Sequence, residues 1–453
     1  MDVYKYINKF IVYPLYYFKS GDKRLARLVE IENNQYLDIK DLDKLRLEKV
    51  QKIVAYAYKH TQYYKELMDK NSISPEDIKT LNDLDKIPPL TKQDIQQYGD
   101  QMLSDLYNKS ELIKDASGGS TGEPTIFYKD MSYQQLRPAD QLRHDRWSGW
   151  DVGERFALIW GAQRDLKASQ SFREFIISRY IARIWELDAF ELSKNKMDAY
   201  VTTLEKIQPK MILGYANALV AFSEFLIKHY PNHSISPKGI VSSAETLTKS
   251  KRDTIEKAFE CKVLNRYGSR EVGLIASECQ KQEGLHINAD NLHVEIVKNG
   301  KSVPVGESGD ILITDFFNKG MPLIRYNLGD VGRLSNDTCS CGRTLPLMKS
   351  VEGRSGDFFV AEDGSLVHGE YFTHLFYGVE DVKKFQLIQE SLSEVILKVV
   401  SKEQNPEAEY LTRITNKIRE MLGKQSEIKL QFVSDIPPTA SGKSLFTISK
   451  VSR

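Results

Sequence analysis

The chain has 453 residues, of which 41% are hydrophobic and 10% aromatic, so it is long enough for a large core and for more than one domain. Lys and Arg number 63 against 62 Asp and Glu, a formal charge of +1. The charge balance excludes a charge-driven nucleic-acid binder, and the composition excludes a disordered chain. No internal repeat or low-complexity tract is present, which excludes a solenoid.

Residues 1–18 are apolar and aromatic, with Lys5 and Lys9 among them and Pro14 interrupting them. The run is too short for a spanning helix and lacks a small-residue cleavage site. We expect it to pack against the body of the protein. The alternative is a peripheral membrane contact, since aromatic and Lys residues interleave at helical spacing. With no signal peptide and four cysteines, the sequence predicts a cytoplasmic protein.

The N-terminal part is predicted to be helical. Apolar residues recur at helical spacing through residues 39–68, and Thr91 with Asp94 forms the N-terminal signature of a further helix.

A glycine- and hydroxyl-rich loop follows. It reads Ser117, Gly118, Gly119, Ser120, Thr121, Gly122, Glu123, Pro124 and Thr125. Glycines let backbone N–H groups converge on an anion, and hydroxyls add neutral donors, so such a loop can hold a phosphate chain. It lacks the spacing and the lysine of a Walker loop. The alternative is a flexible surface connector.

Residues 156–266 alternate short apolar runs with helical segments. The runs at 156–160, 210–215, 239–244 and 262–266 predict βαβ units and a buried parallel sheet. Polar clusters at Tyr215, at Ser243 to Glu245 and at Tyr267 to Glu271 follow these runs, so we expect them to share the ligand-binding rim at the strands' carboxyl ends.

Strands at 292–297, 310–314 and 322–325 predict a small antiparallel part, and a polar break at 352–357 predicts a domain boundary. Beyond it, strands at 385–389 and 394–400, a helix at 408–422 and a strand at 427–433 predict a small α+β module. The predicted class is therefore α/β, with a large N-terminal domain at 1–352 and a small, mobile C-terminal domain at 353–453.

Five clusters in a fixed order, within residues 88–443, resemble the adenylate-forming acyl ligase superfamily, in particular the group of phenylacetate–CoA ligase, coenzyme F390 synthetase and CapK-like proteins. The resemblance implies ATP, AMP and Mg²⁺ as ligands, with coenzyme A as a candidate acceptor. It places ATP and the acyl substrate on the large domain and the catalytic lysine on the small one.

The family's phosphate loop resembles Ser117 to Pro124, with Thr125 where many members carry Lys. The segment Tyr267-Gly268-Ser269-Arg270-Glu271 is similar to the family's Tyr-Gly-x-x-Glu motif, which implies that Tyr267 lies against adenine and that Glu271 holds Mg²⁺. For Tyr267 and Gly268 the alternative is a simple turn after a strand. For Glu271 it is a solvated residue at a helix start. Ser243, Ala244 and Glu245 resemble the segment along the adenine edge.

The segment Tyr326 to Asp330 resembles a Tyr-Arg-x-Gly-Asp motif with Asn327 in place of Arg, which implies that Asp330 binds the ribose hydroxyls. By the same resemblance Arg354 lies near ribose and phosphate, and the hinge pivot is Gly356 or Asp357.

The C-terminal loop carries Lys443, which the resemblance implies is catalytic. The resemblance implies that Glu271 and Thr121 also take part in the reaction. A cation there would stabilise the charge that develops as a carboxylate attacks the α-phosphate. The alternative is a surface lysine after a glycine turn.

Four further residues form a candidate metal site: Cys279, His286, Cys339 and Cys341. Three thiols and an imidazole match a closed structural Zn²⁺ site, although the Cys-x-Cys spacing is tight. The alternative is a set of free thiols with an unrelated histidine.

The predicted function is ATP-dependent activation of a carboxylic acid as acyl-AMP, with transfer to coenzyme A or another acceptor, in capsule polysaccharide biosynthesis. Trp160, Tyr215 and Asn217 are the candidate acyl pocket, with Trp147 and Trp150 near it, although these aromatics would equally suit a core. The alternatives are an adenylyltransferase that leaves AMP on a hydroxyl and a non-catalytic nucleotide binder of a glycan assembly complex.

Overall fold

The structure is a computed structural model, and it describes residues 2–117, 125–160, 172–189, 192, 194–354, 358–362, 366–368, 372, 375–376, 379, 381–401, 408–437 and 446–451. The described residues up to Glu352 form one compact unit, and those from Gly353 onward form a second.

The α-helices span Tyr4–Ile7, Tyr13–Lys19, Arg24–Asn34, Ile39–His60, Gln62–Lys70, Lys92–Tyr98, Met131–Arg146, Phe172–Ile176, Lys194–Ile207, Ala216–His229, Lys249–Phe259 and Glu409–Leu422. Asn8–Val12 and Ile177–Ala182 are π-helical, and Pro75–Asp77, Leu81–Lys86, Gly99–Met102 and Lys109–Glu111 are 3₁₀-helical. No helix among these residues is long and apolar enough to cross a bilayer.

The strands are β1 (Ile113–Ser117), β2 (Thr125–Lys129), β3 (Phe156–Trp160), β4 (Ile184–Asp188), β5 (Met211–Tyr215), β6 (Gly239–Ser243), β7 (Val263–Ser269), β8 (Gly273–Glu278), β9 (Leu285–Ile287), β10 (Leu292–Lys298), β11 (Lys301–Ser302), β12 (Ser308–Asp315), β13 (Tyr326–Ser335), β14 (Leu347–Arg354), β15 (Phe358–Val360), β16 (Leu366–His368), β17 (Val382–Gln389), β18 (Glu394–Ser401), β19 (Glu427–Phe432) and β20 (Thr447–Ser449).

Local sequence signals explain several helix boundaries. The Asp38 carboxylate accepts from the Lys40 N–H at the start of the long helix Ile39–His60, and the Thr61 hydroxyl caps the next helix. The predicted cap at Thr91 is confirmed. Its hydroxyl accepts from the Asp94 N–H, and the Asp94 carboxylate accepts from the Thr91 N–H, which is a capping box.

One mixed sheet runs through the first unit in the order β11-β10-β12-β13-β14-β9-β8-β7-β6-β5-β3-β4. Strands β3 to β7 are parallel to one another, as the βαβ pattern predicts, whereas β8 and the following strands pair antiparallel. The α/β class is thus confirmed, and the antiparallel strands extend the parallel sheet instead of forming a sheet of their own.

The strand predicted at residues 322–325 is wrong. Residues up to Arg325 are irregular, and β13 begins at Tyr326. Arg325 has φ +52, in the left-handed region that a strand residue does not adopt. Its buried guanidinium binds Glu295 and Asp85, so ion pairing outweighs the apolar signal of the segment.

The second unit is a small α+β fold, as the pattern predicts. A four-stranded sheet has the order β19-β18-β17-β20, with β17 and β18 antiparallel and the outer pairs parallel. The helix Glu409–Leu422 buries one face, formed by Leu411, Ile414, Ile418 and Leu422, in the same core as Leu397.

Candidate functional site

The carboxyl ends of the parallel strands form the predicted rim. Tyr215 at the end of β5 pairs in register with Ser243 at the end of β6, and Ser243 pairs with Arg266 in β7. On the other side, the Trp160 ring at the end of β3 lies 4.2 Å from the Tyr215 ring. The rim is therefore continuous from β3 to β7.

Tyr267 and Asp330 meet across the sheet. The Tyr267 hydroxyl donates to Asp330 Oδ2 at 2.7 Å. Three strands separate β7 from β13 in the sheet order, which in a flat sheet would place them nearly 20 Å apart, at about 4.8 Å per strand. The sheet must therefore curve strongly, and this curvature brings together two residues of separate motifs.

Glu271 lies in the turn between β7 and β8, not at a helix start. It is buried, and its Oε1 accepts from the Tyr326 hydroxyl of β13 at 3.1 Å. Together with the Tyr267–Asp330 bond, this gives two tyrosine–carboxylate bonds that run in opposite directions between the same two segments. The turn that carries Glu271 is thereby fixed against the strand that carries Asp330.

Asn327, which stands where the Tyr-Arg-x-Gly-Asp motif has arginine, has a local role. Asn327 Oδ1 accepts from the Gly329 N–H at 2.8 Å, and Gly329 has φ +79, a conformation that glycine adopts without strain. The amide therefore fixes the bend immediately before Asp330. The Leu90 backbone bonds to the residues on both sides of Tyr326. Its N–H donates to the Arg325 carbonyl oxygen at 3.0 Å, and its carbonyl oxygen accepts from the Asn327 N–H at 2.8 Å.

The base of the glycine loop carries an ion pair that the sequence reasoning missed. β1 and β2 form a hairpin on either side of the loop, and Lys129 Nζ binds Asp115 Oδ2 at 2.8 Å. Burial lowers the pKa of Lys129 to about 8, with the nearby Arg137 charge adding to the shift, while Asp115 and Glu271 oppose it. Lys129 thus places positive charge within electrostatic range of Glu271. No sequence signal distinguishes it from a surface lysine at a strand end.

Ser243, Ala244 and Glu245 form the turn after β6. Ala244 has φ +67, which turns the chain sharply at the rim. Glu245 Oε2 accepts from the Asn217 N–H at 2.7 Å, so this carboxylate lies at the start of the helix Ala216–His229, where negative charge is favoured. The turn is thus tied to the neighbouring strand–helix junction.

The candidate acyl-pocket residues separate into two groups. Trp160, Tyr215 and Asn217 lie together at the rim, whereas Trp147 and Trp150 are both buried in cores elsewhere. Trp147 packs 4.0 Å from the His144 ring, and Trp150 packs 6.2 Å from Phe156. Both tryptophans lie in the segment between the helix Met131–Arg146 and β3, and their burial agrees with the core role that the sequence left open for them.

Several predicted residues lie outside the described part of the chain. These are Gly118 to Pro124, including Thr121, the hinge residues 355–357, and Lys443. Ser117 ends β1 and Arg354 ends β14.

The four predicted metal ligands lie together. The candidate donor atoms of Cys279, His286, Cys339 and Cys341 are all within 4.8 Å of one another. Cys279 Sγ is 3.6 Å from Cys339 Sγ, and Cys341 Sγ is 3.4 Å from His286 Nε2. A tetrahedral Zn²⁺ with its usual bond lengths requires edges of about 3.8 Å between sulfurs and about 3.6 Å between sulfur and nitrogen. The donor set therefore has the dimensions of a zinc site.

Among the four side chains, the imidazole has the protonation state that a metal ligand needs, whereas burial raises the pKa of the Cys339 thiol well above its usual range. Burial lowers the pKa of His286 to about 4, so its imidazole is neutral at pH 7, as a ligand must be. The Trp147 ring packs edge-on against His286 at 5.4 Å and holds its orientation. Cys261 is not part of the cluster. It is half-buried beside β7, and burial raises the pKa of its thiol to about 12.

Comparison with solved structures identifies the fold. The chain superposes on 2-hydroxyisobutyryl-CoA ligase in complex with R3-HIB-AMP, in the postadenylation state, with a TM-score of 0.70, 18% identity and 92% of both chains covered. The fold is that of the adenylate-forming CoA ligases.

Proteins of similar sequence match most of the length of this chain. Protein CapK of Staphylococcus aureus is 27% identical over 91% of this chain and 90% of its own length. A phenylacetate-coenzyme A ligase of Thermus thermophilus is 24% identical over 79% of this chain and 81% of its own length. A model of the CapK C-terminal domain matches residues 359–450. The chain is a homologue of CapK and of the phenylacetate–CoA ligases, as its motifs predicted.

Proposed function

We propose that the protein is an adenylate-forming ligase that joins a carboxylic acid to AMP, releases pyrophosphate, and passes the acyl group to coenzyme A. The observation that carries the proposal is the pair of reciprocal bonds, Tyr267 to Asp330 and Tyr326 to Glu271, at the carboxyl end of the parallel strands. The names of the relatives, several of them CoA ligases, support this class of reaction.

Each carboxylate has a chemistry that suits nucleotide binding. Asp330 is half-buried and can accept two hydrogen bonds from a vicinal diol, so we assign the ribose hydroxyls to it. Glu271 is buried and is the carboxylate that would hold Mg²⁺, which binds proteins through one or two carboxylates and leaves its other positions to phosphate and water. Bound Mg²⁺ would neutralise charge on the triphosphate. The ring of Tyr267, fixed by its hydroxyl, would face adenine, and Ser243, Ala244, Glu245, Gly268 and Ser269 would line that side.

The remaining roles rest on the motif resemblance. Ser117 to Gly122 would hold the triphosphate through backbone and hydroxyl donors, with Arg354 near ribose and phosphate. Lys443 would supply the cation at the reacting carboxylate and α-phosphate. Rotation about residues 353–357 would withdraw Lys443 before acyl transfer. Trp160, Tyr215 and Asn217 would contact the acid. A place in capsule polysaccharide biosynthesis is part of the same hypothesis.

Carboxylate-dependent pyrophosphate–ATP exchange tests the first half-reaction. We expect exchange with at least one acid from a panel of aryl, fatty and amino acids, its loss in Lys443→Ala, and a decrease of about a hundredfold or more in Glu271→Gln. Glu307→Gln, which changes an exposed carboxylate in the turn before β12, is the matched control and should retain full exchange. Unchanged exchange in Glu271→Gln would remove this residue from the site.

The acceptor is tested on the product. With coenzyme A present, mass spectrometry should find the acyl thioester and free AMP. An AMP adduct on a hydroxyl would instead identify an adenylyltransferase, and absence of exchange with every acid would favour a non-catalytic nucleotide binder.

We propose further that Cys279, His286, Cys339 and Cys341 hold a structural Zn²⁺. The site joins the neighbouring segments at the end of β8 and in β9 to the loop between β13 and β14, which lies 55 to 60 residues further along the chain. Four protein ligands leave no position for substrate. Denaturing the purified protein should release about one equivalent of zinc per chain. Cys279→Ser should release less and unfold at lower denaturant, whereas Cys261→Ser, outside the cluster, should match the wild type. No zinc, together with unchanged stability of Cys279→Ser, would refute the site.

A further inference from the structure

The N-terminal helix presents an apolar stripe to solvent. The chain is helical without interruption from Tyr4 to Lys19, with one π-helical turn at Asn8–Val12. Its exposed apolar side chains are Tyr4, Tyr6, Ile7, Phe10, Ile11, Leu15 and Phe18, of which Phe18 is 83% exposed and Phe10 66%. Tyr4, Ile7, Ile11, Leu15 and Phe18 follow one another at steps of three and four, so they occupy one side of the helix.

The opposite side of this helix is fixed to the first unit. Tyr13 and Tyr17 are buried, Lys5 pairs with Glu154, and Lys9 Nζ lies 2.5 Å from Asp151. At Gly153, which has φ +89, any Cβ would collide with the Lys5 carbonyl oxygen. The helix backbone therefore packs directly on this glycine, and the apolar stripe is held outward.

A second helical segment extends the exposed surface. The Tyr4 hydroxyl donates to the Tyr180 oxygen at 3.0 Å, and Asn8 Nδ2 donates to the same oxygen at 2.9 Å. This segment adds the exposed rings of Phe172, Phe175 and Tyr180. The combined surface, residues 2–24 with 172–183, is called the N-terminal patch below. Exposed apolar surface of this extent is unusual for a monomer and marks a contact with a partner or a membrane.

The N-terminal patch is basic, although the protein as a whole is nearly neutral at +1. Its charged residues are Lys5, Lys9, Lys19, Lys23, Arg24, Arg173, Arg179 and Arg183 against Asp2, Asp22 and Glu174. Lys5, Lys9, Arg24 and Arg183 are ion-paired with Glu154, Asp151, Asp22 and Asp2, so the positive charge offered to a ligand comes from the other four cations. Between Val3 and Gly21 the helix has no acidic residue. The patch is therefore much more positive than the remainder of the chain, which must be net negative.

We infer that the N-terminal patch docks the protein on the surface of an anionic lipid membrane, with the helix lying in the plane of the interface. Exposed Phe, Ile and Leu side chains would enter the headgroup and acyl boundary, and Tyr rings suit the interface itself. Lys19, Lys23, Arg173 and Arg179 would be attracted to lipid phosphates.

The charge distribution favours lipid over a second copy of the chain. A two-fold symmetric dimer through this patch would place the same basic surface against itself, with few acidic groups to compensate. An anionic bilayer supplies both the apolar phase and the opposite charge. The inference is independent of the ligase reaction, because the patch residues are not among those assigned to the nucleotide, the acid or the metals.

Sedimentation of the full chain with vesicles tests the inference. The wild type should bind vesicles of phosphatidylcholine with about one-third phosphatidylglycerol far better than phosphatidylcholine alone, and added salt should weaken binding. Phe10→Glu/Phe18→Glu should reduce partitioning by about tenfold or more, because it removes two inserted rings and adds repelled charge. Lys19→Glu/Lys23→Glu should reduce it about fivefold per residue.

The matched control is Val305→Glu/Leu392→Glu, which changes two exposed apolar residues outside the patch and should bind vesicles as the wild type does. Unchanged tryptophan fluorescence of each variant confirms that it is folded. No binding by the wild type, or equal binding by the patch and control variants, would overturn the inference. So would a dimer, seen by light scattering, that Phe10→Glu/Phe18→Glu dissociates while vesicles have no effect on the wild type.

Discussion

Removing the charge of Asp115 should destabilise the first unit through the lysine it pairs with. Lys129 lies at the base of the glycine-loop hairpin, with its side chain 3% exposed, and its Nζ is 2.8 Å from Asp115 Oδ2. In Asp115→Asn at acidic pH, the lysine stays buried and charged, but it loses its compensating carboxylate. Removing one partner of a fully buried pair costs about 3–5 kcal/mol. Because the Asp115 side chain is 25% exposed, we expect about 2–3 kcal/mol.

The cost should depend on pH. Burial lowers the pKa of Lys129 from 10.5 to about 8, so between these values the folded protein binds fewer protons at this residue than the unfolded chain. Its contribution to stability therefore rises as the pH rises through that window. Loss of Asp115 lowers the pKa further. A cost of about 2–3 kcal/mol corresponds to about two pKa units. The difference between variant and wild type should therefore be nearly full below about pH 6, about half as large at about pH 7 and mostly gone at about pH 9, where Lys129 is largely neutral in both proteins.

Urea unfolding followed by tryptophan fluorescence measures this difference, because all four tryptophans, at positions 147, 150, 160 and 185, lie in the first unit. Asp115→Asn/Lys129→Met, which removes the buried charge as well, should return to within about 1 kcal/mol of the wild type. Asp69→Asn, which breaks an exposed pair with Lys65, should cost less than about 0.5 kcal/mol at either pH. If Asp115→Asn costs as little as Asp69→Asn, or costs the same at about pH 6 and about pH 9, then Lys129 is not a buried charge that depends on Asp115.

Two further changes test other contacts of the first unit. Asp290→Asn should cost about 3–5 kcal/mol in the same urea assay, because it leaves the fully buried guanidinium of Arg143 without its charge partner, and a cost below 1 kcal/mol would contradict this. Tyr326→Phe should cost about 1.5–3 kcal/mol of stability, because it removes a buried hydrogen bond to a charged group. It should also raise the Mg²⁺ concentration for half-maximal exchange by about tenfold, since the Glu271 carboxylate loses the donor that orients it. An unchanged Mg²⁺ requirement would mean that this hydroxyl does not position Glu271.

The parallel strands and the C-terminal module could be predicted because their signals are local. Runs such as 156–160 are apolar on both sides, as a strand covered on both faces requires, and the helix Glu409–Leu422 carries its apolar residues at one face. The segment 322–325 shows where such reasoning fails. Its apolar residues suggested a strand, but the buried ion pairs of Arg325 with Glu295 and Asp85 hold it in an irregular conformation. Partners so distant in the chain leave no local signal.

The same distinction applies to the candidate site. The order of the motifs was enough to name Glu271 and Asp330 as candidates, and residue types alone named the four candidate metal ligands, because each motif is short and its residue types carry its chemistry. The sequence could not show that Tyr326 binds Glu271, that Lys129 is buried beside them, or that Trp147 belongs to the core around His286. These facts depend on the curvature of the sheet and on which face of a helix is covered.

What the sequence by itself determined is thus the class of fold, the adenylate-forming resemblance and the candidate residues, since these follow from periodicity and from short motifs. The tertiary structure decided which of these residues meet. Strands β7 and β13 are more than fifty residues apart in the chain, and three strands lie between them in the sheet. Tyr267 nevertheless reaches Asp330, because the sheet curves between them. The N-terminal run shows both contributions: its apolar and basic composition is visible in the sequence, but only packing on Gly153 shows which side of the helix faces outward.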